Sequence, residues 1–197
     1  MVGNLPNFTK LDLLRCLFRI EDAMSRSALS ESLELGEGTI RSILDILKGN
    51  KLLVSDKKGH YLSQKGKELL KEINKHIRIS KIDLLYMFPR KKGIAIQIKH
   101  AKNKKSLGKA YELRDTAVKA GADGALILDY YGKLKLYELK DINNKYDFKE
   151  IEANFSLVKT DLVIVAYADS YKLAEYGVLA VAIEVSNSLK TLMNALK

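Results

Sequence analysis

Between Ser25 and Leu70 the apolar positions change spacing in a definite order, from helical repeats to a brief alternation and back to a helical repeat. Ile40, Ile43, Leu44 and Leu47 fall at i, i+3, i+4 and i+7, one stripe of a helix running from about Gly38 to Lys48 and stopped by Gly49 and Asn50. Arg41, Ser42, Asp45 and Lys48 occupy the opposite side. Upstream, Thr9 is an N-cap for a helix from Lys10 to Ile20 with Leu11, Leu14 and Phe18 on one face. Ser25 or Ser27 caps a second, short helix ending near Leu33, with Ala28, Leu29 and Leu33 inward and Arg26, Ser30 and Glu31 outward. The turn over residues 34–38 has Leu35 to plug the angle between helices and Gly36 to supply a positive φ. Downstream, Leu52, Leu53 and Val54, a turn at Asp56-Lys57-Lys58-Gly59, and His60, Tyr61 and Leu62 predict a short β-hairpin. Ser63 then caps a fourth helix whose stripe is Leu69, Leu70, Ile73 and Ile77.

Beyond Ile79 the period shortens. Ile82 to Phe88 and Ile94 to Lys99 read as strands, a helix is expected from about Ser106 to Ala120, and Gly121 ends it. Ala125 to Tyr130 and Leu134 to Leu139 form a second strand pair around Tyr131-Gly132-Lys133. Another helix is expected between Asp147 and Val158, then a strongly apolar strand from Asp161 to Ala168, then a long terminal helix opened by Asp169 and Ser170. Val178 to Val185 reads as a buried strand or, preferably, as part of that helix, because Ala174, Ala180 and Ala182 are good helix formers. Such a small-residue helix either backs a sheet or forms a dimer seam, and sheet backing is preferred. The order β-β-α-β-β-α-β-α predicts an α+β architecture with a mostly antiparallel or mixed sheet. Two domains are expected, 1–78 and 79–197, which suits a chain of 197 residues.

Composition narrows the picture. No apolar run approaches the roughly 18 residues of a membrane span, and the first ten residues lack the order of a secretory signal, so no membrane partner and a cytoplasmic location are expected. A single cysteine, Cys16, excludes an internal disulfide and a multi-cysteine metal site, and its leucine neighbours make it a core residue. The net charge of +10 fits a polyanionic partner, although a lysine-coated surface is also a solubility device. Residues 1–50 hold six Lys or Arg and seven Asp or Glu, whereas residues 51–78 hold eight and three. The positive charge of the N-terminal region therefore lies on the hairpin and the helix after it.

Leu35-Gly36-Glu37-Gly38-Thr39-Ile40-Arg41-Ser42-Ile43-Leu44, together with Gly59-His60-Tyr61-Leu62-Ser63-Gln64-Lys65-Gly66, resembles prokaryotic winged helix-turn-helix transcription regulators. In particular the chain is similar to an archaeal family that joins such a domain to a C-terminal domain of uncharacterised function. The resemblance implies a winged-helix domain on double-stranded DNA, with Arg41, Ser42 and Asp45 toward the bases and Thr39, Lys48, Lys57, Lys58, His60 and Lys65 nearer the phosphates. Glu37 and Asp45 repel phosphate, but an acid can accept from a cytosine amino group and so filter sequence.

The rest of the chain shows little chemistry. His60, His76 and His100 lie on separate elements without ligand spacing, so no metal site is expected. No nucleophile elbow, phosphate loop or dinucleotide fingerprint is present, and neither a cofactor nor an enzymatic activity is expected. Arg114, Asp115, Asp169, Ser170 and Glu175 are the candidates for contact with a small-molecule effector, surface ion pairs and a helix cap being the alternatives. From Arg90 to Lys109 there are eight basic residues and no acid, either a second phosphate-contacting surface or a solvated loop around Lys102, Lys104 and Lys105. The preferred reading is a homodimeric DNA-binding regulator with a C-terminal effector-binding or dimerisation domain. A small-metabolite enzyme and a protein-interaction adaptor are the alternatives.

Overall fold

A computed structural model describes residues 8–83, 87–101, 107–138 and 147–195. The described residues form a mixed α+β structure with eight helices and two antiparallel sheets. They fall into two compact units, one holding the residues up to Asn74 together with those from Thr191 onward, the other Lys75–Lys190.

The first unit begins with α1 (Lys10–Arg19), α2 (Arg26–Leu33) and α3 (Glu37–Gly49), which pack on one another. The Ser25 hydroxyl accepts from the Ala28 N–H at 3.1 Å and caps α2, while the Asp12 carboxylate accepts from the Thr9 N–H at 3.0 Å and holds the start of α1. Leu13, Leu14, Cys16 and Leu17 of α1, Leu29 and Leu33 of α2, and Ile40, Ile43, Leu44 and Leu47 of α3 are buried. Leu11 and Phe18, expected on the inner face, are only half-buried, because α1 is covered on more than one side and even Asp12 and Arg15 are enclosed. The Arg15 guanidinium is 3.1 Å from Asp12 Oδ1 and donates at 3.0 Å to the Leu33 carbonyl, so it fastens α1 to an otherwise unpaired carbonyl at the end of α2. Lys10 Nζ donates to the Met193 carbonyl at 3.2 Å, tying the start of α1 to the last helix of the chain.

The turns differ in one respect from expectation. Gly36 has φ −64° as the extended N-cap of α3, and the left-handed residue is Glu34 at φ 55°, where it ends α2. Gly49 lies within α3, Asn50 is its C-cap, and Lys51 at φ 60° turns the chain away. Strands β1 (Leu53–Asp56) and β2 (Gly59–Leu62) make the hairpin, with Ser55 opposite His60. His60 also exchanges two backbone hydrogen bonds with Met24, at 2.8 and 2.9 Å. Gly59 makes this approach feasible: its φ is +135°, and a Cβ there would lie 2.6 Å from the Met24 carbonyl oxygen. Ser63 caps α4 (Gln64–His76) by accepting from the Gly66 N–H at 3.0 Å.

Helix α4 ends at His76, and Ile77, expected on its stripe, begins a strand. The second unit holds β3 (Ile77–Ile82), β4 (Lys92–Ile98), α5 (Ala110–Lys119), β5 (Gly124–Tyr130), β6 (Leu134–Leu136), α6 (Lys149–Glu152), β7 (Leu162–Ala168) and α7 (Tyr171–Val185), and the chain closes with α8 (Asn187–Ala195). The five strands lie in the order β3-β4-β7-β5-β6, every pair antiparallel. A strand from Ile82 to Phe88 is not what forms: Ile82 ends β3, Asp83, Met87 and Phe88 are not in a strand, and residues 84–86 lie outside the described residues. Ser106 at the expected start of α5, Leu139 at the expected end of β6, and Lys102, Lys104 and Lys105 also lie outside them.

Helix α7 packs on β7 and β4, and α5 packs on α7 and β5. The apolar segment 178–185 is thus the end of a helix that backs the sheet. On the other face Ile82, Ala95, Leu128, Leu134, Phe148, Ile151, Val163 and Val165 form one cluster. α6 is a single turn where a helix to Val158 was expected, because Phe155 and Leu157 turn back against this cluster. The terminal helix breaks at Ser186, whose backbone is extended and whose hydroxyl accepts from the Leu189 N–H at 3.4 Å, restarting the chain as α8. Two buried polar groups close the end of β4. Gln97 Nε2 donates to Asp161 Oδ2 at 2.6 Å and to the Ser156 carbonyl at 2.9 Å, and Asp161 Oδ1 accepts from the His100 N–H at 3.0 Å.

Asp12→Ala removes the carboxylate that lies 3.1 Å from the 1% exposed Arg15 guanidinium. Asp12→Ala is expected to cost about 3–5 kcal/mol of unfolding free energy. Urea denaturation measures it, and a loss under about 1 kcal/mol would mean that the pair is solvated.

Candidate functional site

Helix α3 turns Ile40, Ile43, Leu44 and Leu47 inward, so its other side is presented outward. Arg41, Ser42 and Asp45 are exposed, whereas Thr39 and Lys48 are half-buried. The Ser42 hydroxyl donates back to the Gly38 carbonyl at 3.3 Å, a weak bond that a better acceptor can replace. At the start of α3 the Glu37 carboxylate is 3.3 Å from Arg26 of α2, both substantially exposed.

The hairpin brings His60 to this helix. Its Nδ1 is 2.6 Å from the Ser55 hydroxyl across the β1–β2 pair. Burial lowers the His60 pKa below the usual 6.5, and the charges of Lys48 and Arg26 lower it further, against an opposing effect from Asp45. The ring is therefore neutral at pH 7, in a neighbourhood with two cations and one acid. Lys57 and Lys58 are exposed at the hairpin tip, where Asp56 Oδ1 accepts from the Lys58 N–H at 2.7 Å and shapes the turn. Lys65, on the first turn of α4, donates to the Asn50 carbonyl at 3.0 Å and so serves the end of α3.

The structure thus gathers Asp45, Lys48 and His60, adds Arg26, and leaves Lys57 and Lys58 free at the tip. Arg26 is the residue that the sequence placed only as an outward position of the second helix. Its proximity to His60 depends on how α2, α3 and the hairpin pack, which no local spacing encodes.

The five effector candidates of the second unit are engaged in different ways. Arg114 and Asp115, neighbours on α5, pair with each other at 3.1 Å on an exposed face. Asp169 lies 2.7 Å from Lys91, which also meets Asp123, and these carboxylates, Asp123 first, raise the Lys91 pKa. The Ser170 hydroxyl caps α7, accepting from the Leu173 N–H at 3.2 Å, and Glu175 is buried within that helix. None of the five lines the open groove of about 380 Å³ bounded by Tyr130, Lys149, Glu152, Ala153, Phe155 and Leu157. Glu152 in that groove is held in place by accepting from the Leu134 N–H. Sequence reasoning passed over Lys149 to Leu157 of this groove because its expected longer helix placed them on one regular element, and Tyr130 was read only as the end of a strand.

Among the described residues no three His, Cys, Asp or Glu side chains are grouped to hold a metal, and no helix is long and apolar enough to cross a membrane. Burial pushes the Cys16 thiol up to about 12, which keeps it protonated and unreactive.

The class defined by this architecture is a two-unit α+β protein, with α1, α2, α3, the hairpin and most of α4 in the first unit and a five-stranded antiparallel sheet in the second. Residues 9–68 match the family model described as the PH0730-like N-terminal domain, and residues 89–185 match a domain of unknown function, DUF4443. The chain is similar in structure to the hypothetical protein PH0730 from Pyrococcus horikoshii OT3, with 26% sequence identity, a TM-score of 0.80, and coverage of 97% of this chain and 100% of that one. No curated protein matches the chain.

The depressed His60 pKa has a definite sign in stability. The unfolded chain, with an ordinary histidine near 6.5, takes up a proton before the folded chain does. Stability from this site is full above about pH 6.5 and is lost as the pH falls toward the folded value. The His60 ring signal in NMR should titrate with a midpoint below 6.5, and His60→Gln should lose less stability than the parent between about pH 7.5 and 5.5. A midpoint at or above 6.5 would contradict the cationic neighbourhood.

Proposed function

We propose that the first unit is a winged-helix DNA-binding domain and that the chain is a homodimeric transcription regulator, not an enzyme. In this reading α3 is the recognition helix and the β1–β2 hairpin is the wing. The observation that carries it is the surface shared by α3 and the hairpin. An exposed helix face with Arg41, Ser42 and Asp45 lies beside Lys48, Arg26 and His60, and the hairpin tip holds the exposed pair Lys57 and Lys58.

Each part has a physical role on duplex DNA. Arg41 has the planar donor fork that can address the O6 and N7 of a guanine together. Asp45 accepts a cytosine amino group and is repelled elsewhere, so it adds selectivity at the expense of affinity. Lys57 and Lys58, together with Lys48, meet phosphates and release counterions. His60 gains a proton more readily once a phosphate stands near it, because the anion offsets Lys48 and Arg26. A homodimer presents two such faces and reads two half-sites about 34–36 Å apart, or a multiple of that spacing. The second unit, in this reading, dimerises the chain, and its open groove is a concavity open to a small-molecule effector.

Selection of duplex fragments from genomic DNA, followed by titration of the best fragment against salt, tests the reading. Affinity is expected to fall steeply with salt, and Lys57→Gln with Lys58→Gln should reduce the slope of log K against log salt by about 2. Arg41→Ala should cost about 1–3 kcal/mol and relax selection at one base pair. No enriched sequence, a shallow slope and an unchanged Arg41→Ala would instead assign α3 to a protein partner.

A further inference from the structure

The groove on the second unit is built from three stretches of chain. Tyr130 ends β5, Lys149, Glu152 and Ala153 come from α6 and the residue after it, and Phe155 and Leu157 follow where the chain turns back on the sheet. Tyr130, Phe155 and Leu157 also pack against the buried cluster, so the apolar part of the groove is continuous with the core. The stretch 154–157 is fixed at two points. The Asn154 side chain accepts from the Ser80 hydroxyl at 2.8 Å and donates to the Glu150 carbonyl at 2.7 Å, and the Ser156 carbonyl accepts from Gln97 at 2.9 Å. The concavity is therefore formed before anything enters it.

Its two charged members are not equivalent. The Lys149 ammonium is 3.1 Å from the Asp147 carboxylate, and both side chains are exposed, so its charge is already answered. Glu152 is half-buried, and its Oε1 accepts from the Leu134 N–H. Among the described residues that neutral donor is the one partner of the carboxylate, and Oε2 is left to accept. A half-buried carboxylate with an open oxygen, beside two aromatic rings and a leucine, favours a cation that carries an apolar body. The carboxylate answers the charge, the negative faces of aromatic rings attract it, and the apolar body covers the wall.

We propose that this groove binds a small organic monoamine in its protonated form, the ammonium on Oε2 of Glu152 and the apolar body against Tyr130, Phe155 and Leu157. The inference rests on the effector clause of the proposed function and deepens it by naming the ligand class; it does not depend on the DNA-binding clause. The competing anchor is Lys149, which would select a carboxylate. An anion there would draw Lys149 from Asp147 and meet Glu152 as a like charge. The net charge of +10 opposes a cation only at long range, because at about 0.15 M salt charges beyond about 8 Å are largely screened, whereas Glu152 acts in contact.

Calorimetric titration of the full chain, without DNA, at about pH 7.5 and about 0.15 M salt tests the proposal with three ligands of one shape. These are 2-phenylethylamine, a cation at that pH, the neutral 2-phenylethanol and the anion 3-phenylpropionate. The amine is expected to bind with a Kd of about 0.1–1 mM, and the other two at least about tenfold more weakly. Glu152→Gln keeps an acceptor for the Leu134 N–H and removes the charge, so it should weaken the amine about tenfold or more. Lys149→Gln should leave the amine within about threefold of wild type. An amine that binds no better than the alcohol, or that binds Glu152→Gln unchanged, overturns the proposal. A carboxylate that binds most tightly and is lost in Lys149→Gln overturns the amine class while keeping the groove as a ligand site. No binding by any of the three at about 5 mM overturns the ligand class and the groove together. Should Glu152→Gln fail to fold, the ligand series on the wild-type chain decides by itself.

Discussion

β7 must be apolar on both faces, and the second unit is arranged around that requirement. Leu162 to Ala166 are fully enclosed, with α7 against one side of the sheet and the cluster of Phe148, Ile151 and their neighbours against the other. A central strand has no solvent face, so it loses the alternation of apolar and polar residues that marks a half-buried strand. Its two neighbours, β4 and β5, take register from it on either side, and the outer strands β3 and β6 take register from those. Polar groups at its entrance are tolerated because Asp161 is saturated by Gln97 and backbone donors.

The first unit solves its packing differently. Three short helices carry too little apolar area to close a core by themselves, and the hairpin and α4 complete it through Leu52, Leu53, Leu62 and Ile73. The buried Arg15–Asp12 pair adds geometric definition, because a guanidinium that must satisfy both a carboxylate and the Leu33 carbonyl allows one relative placement of α1 and α2.

Element type was largely legible in the sequence, because helical and strand periodicities arise from each residue's immediate neighbours. The stripe of α3, the hairpin turn, the apolar β7 and the helical state of residues 178–185 are all of this kind. Boundaries were less so: Ile77 fits a helical stripe and a strand equally well, and the sheet drew it into β3. Positive φ went to Glu34 and Lys51 instead of the glycines beside them, since the angle each helix end must turn depends on what it packs against. The candidate DNA-facing side chains were visible as an outward helical face, but Arg26 beside Lys48 and His60 was not, nor were the burial of Asp12, Arg15 and Glu175. The sequence by itself determined which segments are helices and strands and in what order. Only the tertiary structure decided which charges are enclosed, which are paired and which are left outward, because those outcomes depend on contacts between residues far apart in the chain.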